Sequence, residues 1–158
     1  MDLKIIFTIG GKPGLQKLVA KSASGVIVES LVDGKRFNAY SSYKISSLED
    51  ISIYGENDDI PLREVLIKIA EANSFGEVEI PKKDDLITVL NSFITIDTER
   101  VYESDIKKLF SWYNILVRSS ILTKESIKEE ESEDLEKEVS KEEEKEVIDE
   151  KKENPAEA

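Results

Sequence analysis

Val26-Ile27-Val28-Glu29-Ser30-Leu31-Val32-Asp33-Gly34-Lys35-Arg36-Phe37-Asn38-Ala39-Tyr40 is the stretch that decides the fold. Its first seven residues are rich in β-branched side chains, which suit a pleated strand. Asp33-Gly34 is the strongest hairpin signal in the chain, because both residues accept positive φ. Lys35 to Tyr40 then reads as the returning strand. Upstream, Ser22-Ala23-Ser24-Gly25 is a turn and Leu15 to Lys21 is another strand. Lys12-Pro13-Gly14-Leu15 fits a type II turn, with Pro setting φ at the second position and Gly accepting positive φ at the third. Leu3 to Ile9 completes the run, with Leu3, Ile5, Phe7 and Ile9 on one face.

Downstream, Ser41 to Ser47 reads as a polar crossing with a short 3₁₀ turn, and Ile51 to Tyr54 as a fifth strand. Five short strands in about 55 residues leave two edges exposed to mispairing, and closure removes them. The prediction for residues 1–55 is a small five-stranded SH3-like β-barrel. Six of the seven Gly fall in this region.

Residues 56–122 change period. After the polar linker Glu56-Asn57-Asp58-Asp59, Pro61 suits a helix start. Leu62, Val65, Leu66 and Ile69 recur at helical spacing. Asp84 or Asp85 starts a second helix with Leu86, Val89, Leu90 and Phe93 inward. Ser104 caps a third, whose stripe is Ile106, Leu109, Phe110, Tyr113, Leu116 and Val117. The body is therefore read as α+β, a barrel followed by a three-helix module.

Charge divides the chain unevenly. Residues 1–122 carry 15 Lys/Arg against 18 Asp/Glu, a net of −3, and residues 123–158 carry 7 against 16, a net of −9. In the second segment Glu130, Asp134, Glu138, Glu142, Glu146 and Glu150 stack acid on acid at i,i+4, and Lys137, Lys141 and Lys145 stack likewise. Each such pair costs a few tenths of a kcal/mol. Glu138–Lys141 and Glu142–Lys145 at i,i+3 offset this in part, and residues 123–158 are predicted to be a disordered acidic tail with transient helix.

Cys and His are both absent. This removes disulfides, thiolate catalysis, zinc-thiolate sites and the Ser-His and Cys-His pairs. No stretch approaches the ~18 apolar residues of a membrane span. The N-terminal apolar run is too short for a signal peptide, so a cytoplasmic protein is expected. Gly10-Gly11-Lys12-Pro13-Gly14 lacks the spacing of a phosphate loop and reads as a turn. The pairs Glu49-Asp50, Asp58-Asp59 and Asp84-Asp85 suit turns and helix starts better than a cation site. No catalytic, metal or cofactor residue is assigned.

The candidate binding surface is Lys35, Arg36, Tyr40, Tyr43 and Lys44, a mixture of cations and aromatics near one end of the barrel, together with Trp112. Tyr113 is read as core, and Trp112 as packing between modules or lying at an interface.

Several segments carry a resemblance. They are Gly11-Lys12-Pro13-Gly14-Leu15, Lys17-Leu18-Val19-Ala20, Ile27-Val28-Glu29-Ser30-Leu31 with Asp33-Gly34-Lys35-Arg36, and Ser41-Ser42-Tyr43-Lys44 with Leu48-Glu49-Asp50-Ile51-Ser52-Ile53. The match resumes at Arg100-Val101-Tyr102 and Ser104-Asp105-Ile106-Lys107-Lys108, through Phe110 and Trp112-Tyr113-Asn114. The chain resembles a family of small uncharacterised proteins from Bacteroidota-type bacteria, in which a domain of unknown function precedes a helical domain. The resemblance implies a bacterial cytoplasmic protein and no particular reaction. With no chemical constellation, the expectation is a non-enzymatic adaptor that binds another protein. The alternative is an RNA- or DNA-associated factor using Lys35, Arg36 and Lys44 and modulated by the tail. A carboxylate-metal hydrolase ranks third.

Overall fold

The computed structural model describes residues 1–153, with side chains through residue 138. It divides into Asp2–Thr123 and a second unit formed by Met1 and the segment from Lys124 onward.

In the first unit a 3₁₀ turn at Leu3–Ile5, capped by the Asp2 carboxylate, leads into β1 (Ile6–Ile9). β2 (Gln16–Ser22), β3 (Gly25–Ser30), β4 (Arg36–Tyr40) and β5 (Ile45–Ser47) follow. Gly14 takes φ +76°, as the type II reading requires; Gly34 takes φ +73° but Asp33 does not share a positive φ, and β3 and β4 are joined by the five residues 31–35 and not by a two-residue turn. The Asp33 carboxylate accepts from the Lys35 amide at 3.0 Å, which holds its pKa below the ordinary value. Gln16 is buried, and its Nε2 donates to the Pro13 carbonyl at 3.2 Å, fastening the β1–β2 turn.

The five strands are antiparallel neighbours in the order β4-β3-β2-β1-β5. The expected barrel is not formed, because no ladder joins β4 to β5 and the sheet stays open. It is nevertheless strongly curled. In a flat sheet β4 and β5 would lie about 19 Å apart, four strand spacings. The five steps from Tyr40 to Ile45 reach about 18 Å at full extension, and the Tyr43 amide donates to the Tyr40 carbonyl in a turn that shortens them. The two edges therefore approach each other. Consistently, Ile45 of β5 and Phe37 of β4 pack on the same cluster, formed by Ile9, Val28 and Ala39. A register shift between Leu18 and Ala20 adds local twist to β2.

Three strand readings change. The strand expected over Leu3–Ile9 begins only at Ile6, after the 3₁₀ turn, and buries Ile6 with Ile9. Ile45–Ser47 was a crossing by composition but pairs with β1. The strand expected at Ile51–Tyr54 is β6 (Ser52–Tyr54), outside the large sheet. It pairs with β7 (Asp59–Pro61), part of which is the expected linker. Gly55 permits the tight return, since a Cβ there would lie 2.3 Å from the Asp58 carbonyl oxygen.

Three helices complete the unit: α1 (Leu62–Ala72), α2 (Leu86–Phe93) and α3 (Glu103–Arg118). Pro61 and Tyr102 flank α1 and α3 as cap residues, so Ser104 lies inside the first turn of α3 and is not its cap. The predicted stripe of α3 is the core: Ile106, Leu109, Phe110, Tyr113 and Leu116 are all buried. Burial pushes the Tyr113 phenol pKa up, and its hydroxyl donates to the Gly76 carbonyl at 2.8 Å. Asn114 accepts from the Val78 amide and donates to the Val78 carbonyl, both at 2.8 Å. Arg118 pairs with Glu77 at 2.6 Å. α3 thus grips the connection after α1 through three side chains. Asn114→Ala leaves both Val78 groups without this partner. It is expected to cost about 1–3 kcal/mol and to speed hydrogen exchange at the Val78 amide by NMR. Unchanged exchange would count against the grip.

In the second unit, α4 spans Lys124–Glu153. It runs through most of the acidic tail predicted over 123–158, of which residues 154–158 lie outside the described residues. The Met1 ammonium also donates to the Ser126 carbonyl at 2.8 Å and pairs with Glu130 at 2.9 Å.

Candidate functional site

The predicted surface residues do not converge. Lys35 and Arg36 sit at the start of β4, where Arg36 Nε meets the carboxylate of its cross-strand partner Glu29 at 2.9 Å. Tyr40 and Tyr43 lie at the other end of that strand, about 13 Å away by strand rise. There the two rings meet edge to face at 5.8 Å. Lys44 follows them, and its carbonyl accepts from the Gly10 amide at 2.9 Å. Trp112 stands apart on α3 and is half-buried. A single basic-aromatic patch at one end of the sheet is therefore not assembled.

Trp112 instead forms one wall of a cleft of about 240 Å³ between β6 and α3. Ile51, Ile53, Leu62, Val101 and Leu109 give it an apolar floor, and Tyr54, Arg100, Tyr102 and Lys108 form its polar margin. The cleft follows from local sequence. The buried stripe of α3 anchors the helix, while Ser104, Lys107, Lys108, Ser111 and Trp112 repeat at i, i+3, i+4, i+7 and i+8 on another face. This second stripe is a helical period in the sequence, less conspicuous than the apolar one.

The Arg100 side of the cleft is fixed from three directions. Its guanidinium lies 4.5 Å from the centre of the Tyr54 ring. Its Nε donates to Asp97 Oδ2 at 2.7 Å. The Asp97 amide donates to the Tyr54 carbonyl at 2.9 Å, beside the Gly55–Ile96 bridge. Arg100 holds the Asp97 carboxyl below the ordinary carboxylate range, helped by the Glu99 amide, and Asp97 in turn raises the Arg100 pKa. Arg100 and Tyr54 are far apart in sequence, so no periodicity announces their pairing.

The size of the cleft limits what enters it. Pockets for drug-sized ligands run from about 300 to 1,000 Å³, so this one admits a group of side-chain size. The acidic pairs weighed for a cation are scattered: Glu49-Asp50 and Asp84-Asp85 lie in 3₁₀ turns, and Asp58-Asp59 at the start of β7. Among the described residues no three acidic groups come together as potential metal ligands. No helix among them is long and apolar enough to cross a membrane.

Residues 3–48 match a domain of unknown function (DUF5606), and residues 51–116 match a second (DUF6852). The chain is also similar to a Bacteroides vulgatus protein whose solution NMR structure was determined by the Northeast Structural Genomics Consortium. Identity is 38% over 77% of this chain and 89% of that one, with a TM-score of 0.63. No curated protein matches.

Proposed function

This chain belongs to the family that joins these two domains of unknown function and includes the Bacteroides vulgatus protein, and from that premise we propose that it is a non-enzymatic, protein-binding adaptor of the bacterial cytoplasm. The observation that carries the reading is the apolar cleft between β6 and α3. Its volume suits one anchoring side chain of an extended partner segment. The nucleic-acid alternative loses support because Lys35 and Arg36 lie at one end of β4 and Lys44 beyond the other.

Trp112 is the sole Trp, so its emission reports on the cleft. Binders selected from an array of ten-residue peptides are expected to change that emission saturably. Trp112→Ala is expected to weaken them at least tenfold by calorimetry, about 1.4 kcal/mol. Binders that leave the emission unchanged and hold the variant equally well would refute the cleft as the docking site.

A further inference from the structure

We infer that the partner segment is an acidic, extended peptide that lies along α3 and places one large apolar side chain in the cleft. This rests on the docking reading above and adds the chemistry of the occupant.

Two further depressions on α3 share lining residues with the cleft, and together we read them as one trough. One depression shares Tyr102 with the cleft and is edged by Lys82, Lys83 and Lys107. The other shares Lys108 and Trp112 with it and is edged by Lys12 on the β1–β2 turn. From Tyr102 to Trp112 the helix rises about 15 Å, the span of about five extended residues. The trough's lining includes six cations (Lys12, Lys82, Lys83, Arg100, Lys107 and Lys108) against two acids (Glu103 and Asp105), a net of +4. The 1–122 body has a net of −3, so the lining is positive where the body as a whole is negative. Lys83 is taken up by Glu103 at 3.8 Å and Arg100 by Asp97. Lys12 lies over the Phe37 ring at 5.0 Å, which leaves Lys82, Lys107 and Lys108 for carboxylates of a partner.

Two features favour a peptide over a nucleic-acid strand. The Leu62 amide donates to the Ile51 carbonyl, and Ile53 pairs with Ile60. Alternation along an antiparallel ladder then directs the Ser52 backbone away from β7; the Tyr54 carbonyl on that edge is taken by the Asp97 amide, so Ser52 supplies the backbone groups that an extended chain can meet. Stacking platforms are scarce, however. Arg100 covers a face of Tyr54, Trp112 is a half-buried wall, and Tyr102 alone stands well exposed, at 69%. A strand of bases needs successive open rings.

The test uses the full chain and three probes: a nine-residue peptide with central Phe between alternating Glu and Thr, its Gln-for-Glu analogue, and a twelve-nucleotide oligo-dT. The acidic peptide is expected to bind at least tenfold more tightly than the neutral one and to weaken with added salt. In the double variant Lys107→Gln/Lys108→Gln the two peptides are expected to bind alike, at the neutral peptide's level. Equal binding of both peptides to the unsubstituted chain would overturn the acidic specification and leave the docking reading standing. Binding of neither peptide would overturn both. Tighter binding of oligo-dT, lost in the double variant, would make the occupant a nucleic acid. Self-association that sedimentation shows to depend on Lys107 and Lys108 would make it a second copy. Either result overturns the inference.

Discussion

Phe110→Ala is expected to remove about 3–5 kcal/mol of folding stability. Phe110 is 1% exposed and sits in the buried stripe of α3 with Ile106, Leu109 and Tyr113. Truncation forfeits the transfer energy of the ring and leaves a cavity that neighbouring side chains refill only in part. A domain of this size has about 5–15 kcal/mol in total, so the variant keeps a much reduced margin. Urea denaturation followed by Trp112 emission measures the loss, since that single indole sits two residues along the same helix. Tyr102→Ala, at an exposed position, is the control and is expected to stay within about 0.5 kcal/mol. A loss below 1 kcal/mol at Phe110 would contradict the placement of the core on this stripe.

Gly25→Val is expected to be the most disruptive change in the sheet, costing about 3 kcal/mol or more, at the upper end of what overpacking exacts. Gly25 pairs with Tyr40, and a Cβ there would lie 2.0 Å from the Ala39 carbonyl oxygen and 3.0 Å from Tyr40 Cα. Those atoms are backbone, so relief requires β4 to move away from β3. Exchange at the Ser41 amide, which donates to the Ser24 carbonyl, is expected to quicken at the same time. Gly34→Ala separates space from torsion. Its Cβ meets nothing within 4 Å, but φ is +73°, so the expected cost is about 1–2 kcal/mol from left-handed strain alone. Equal and small losses at both positions would show that β3 and β4 are not so tightly apposed.

Local chemistry made much of this fold readable. Pro13-Gly14 and Asp33-Gly34 marked turns because only particular residues accept their torsions. The α3 stripe was readable because an interior helix repeats its apolar side at a fixed period. What was not readable depended on distant pairing. Ile45–Ser47 is three residues long and Ser-rich, and becomes a strand only because β1 supplies the ladder. Asp59–Pro61 becomes one only against β6. The spread of the candidate surface has a related reason. Lys35, Arg36, Tyr40 and Tyr43 are close in sequence, but an extended strand separates residues that proximity in the chain had grouped. Trp112 lines the cleft, and its companions there, Tyr54 and Arg100, come from segments that no sequence period links.

The short link from Tyr40 to Ile45 bears on how the chain folds. β2, β3 and β4 can zip from neighbouring residues, but Thr8 must find Ser46 across most of the sheet's sequence. Closing so long a loop is entropically costly, so β5 is expected to dock late, after the meander has begun to bend. Residues 41–44 then act as a tether of fixed reach. Lengthening it with a few Gly would allow the meander to form without the bend, and would leave β5 able to exchange into the sheet of another molecule.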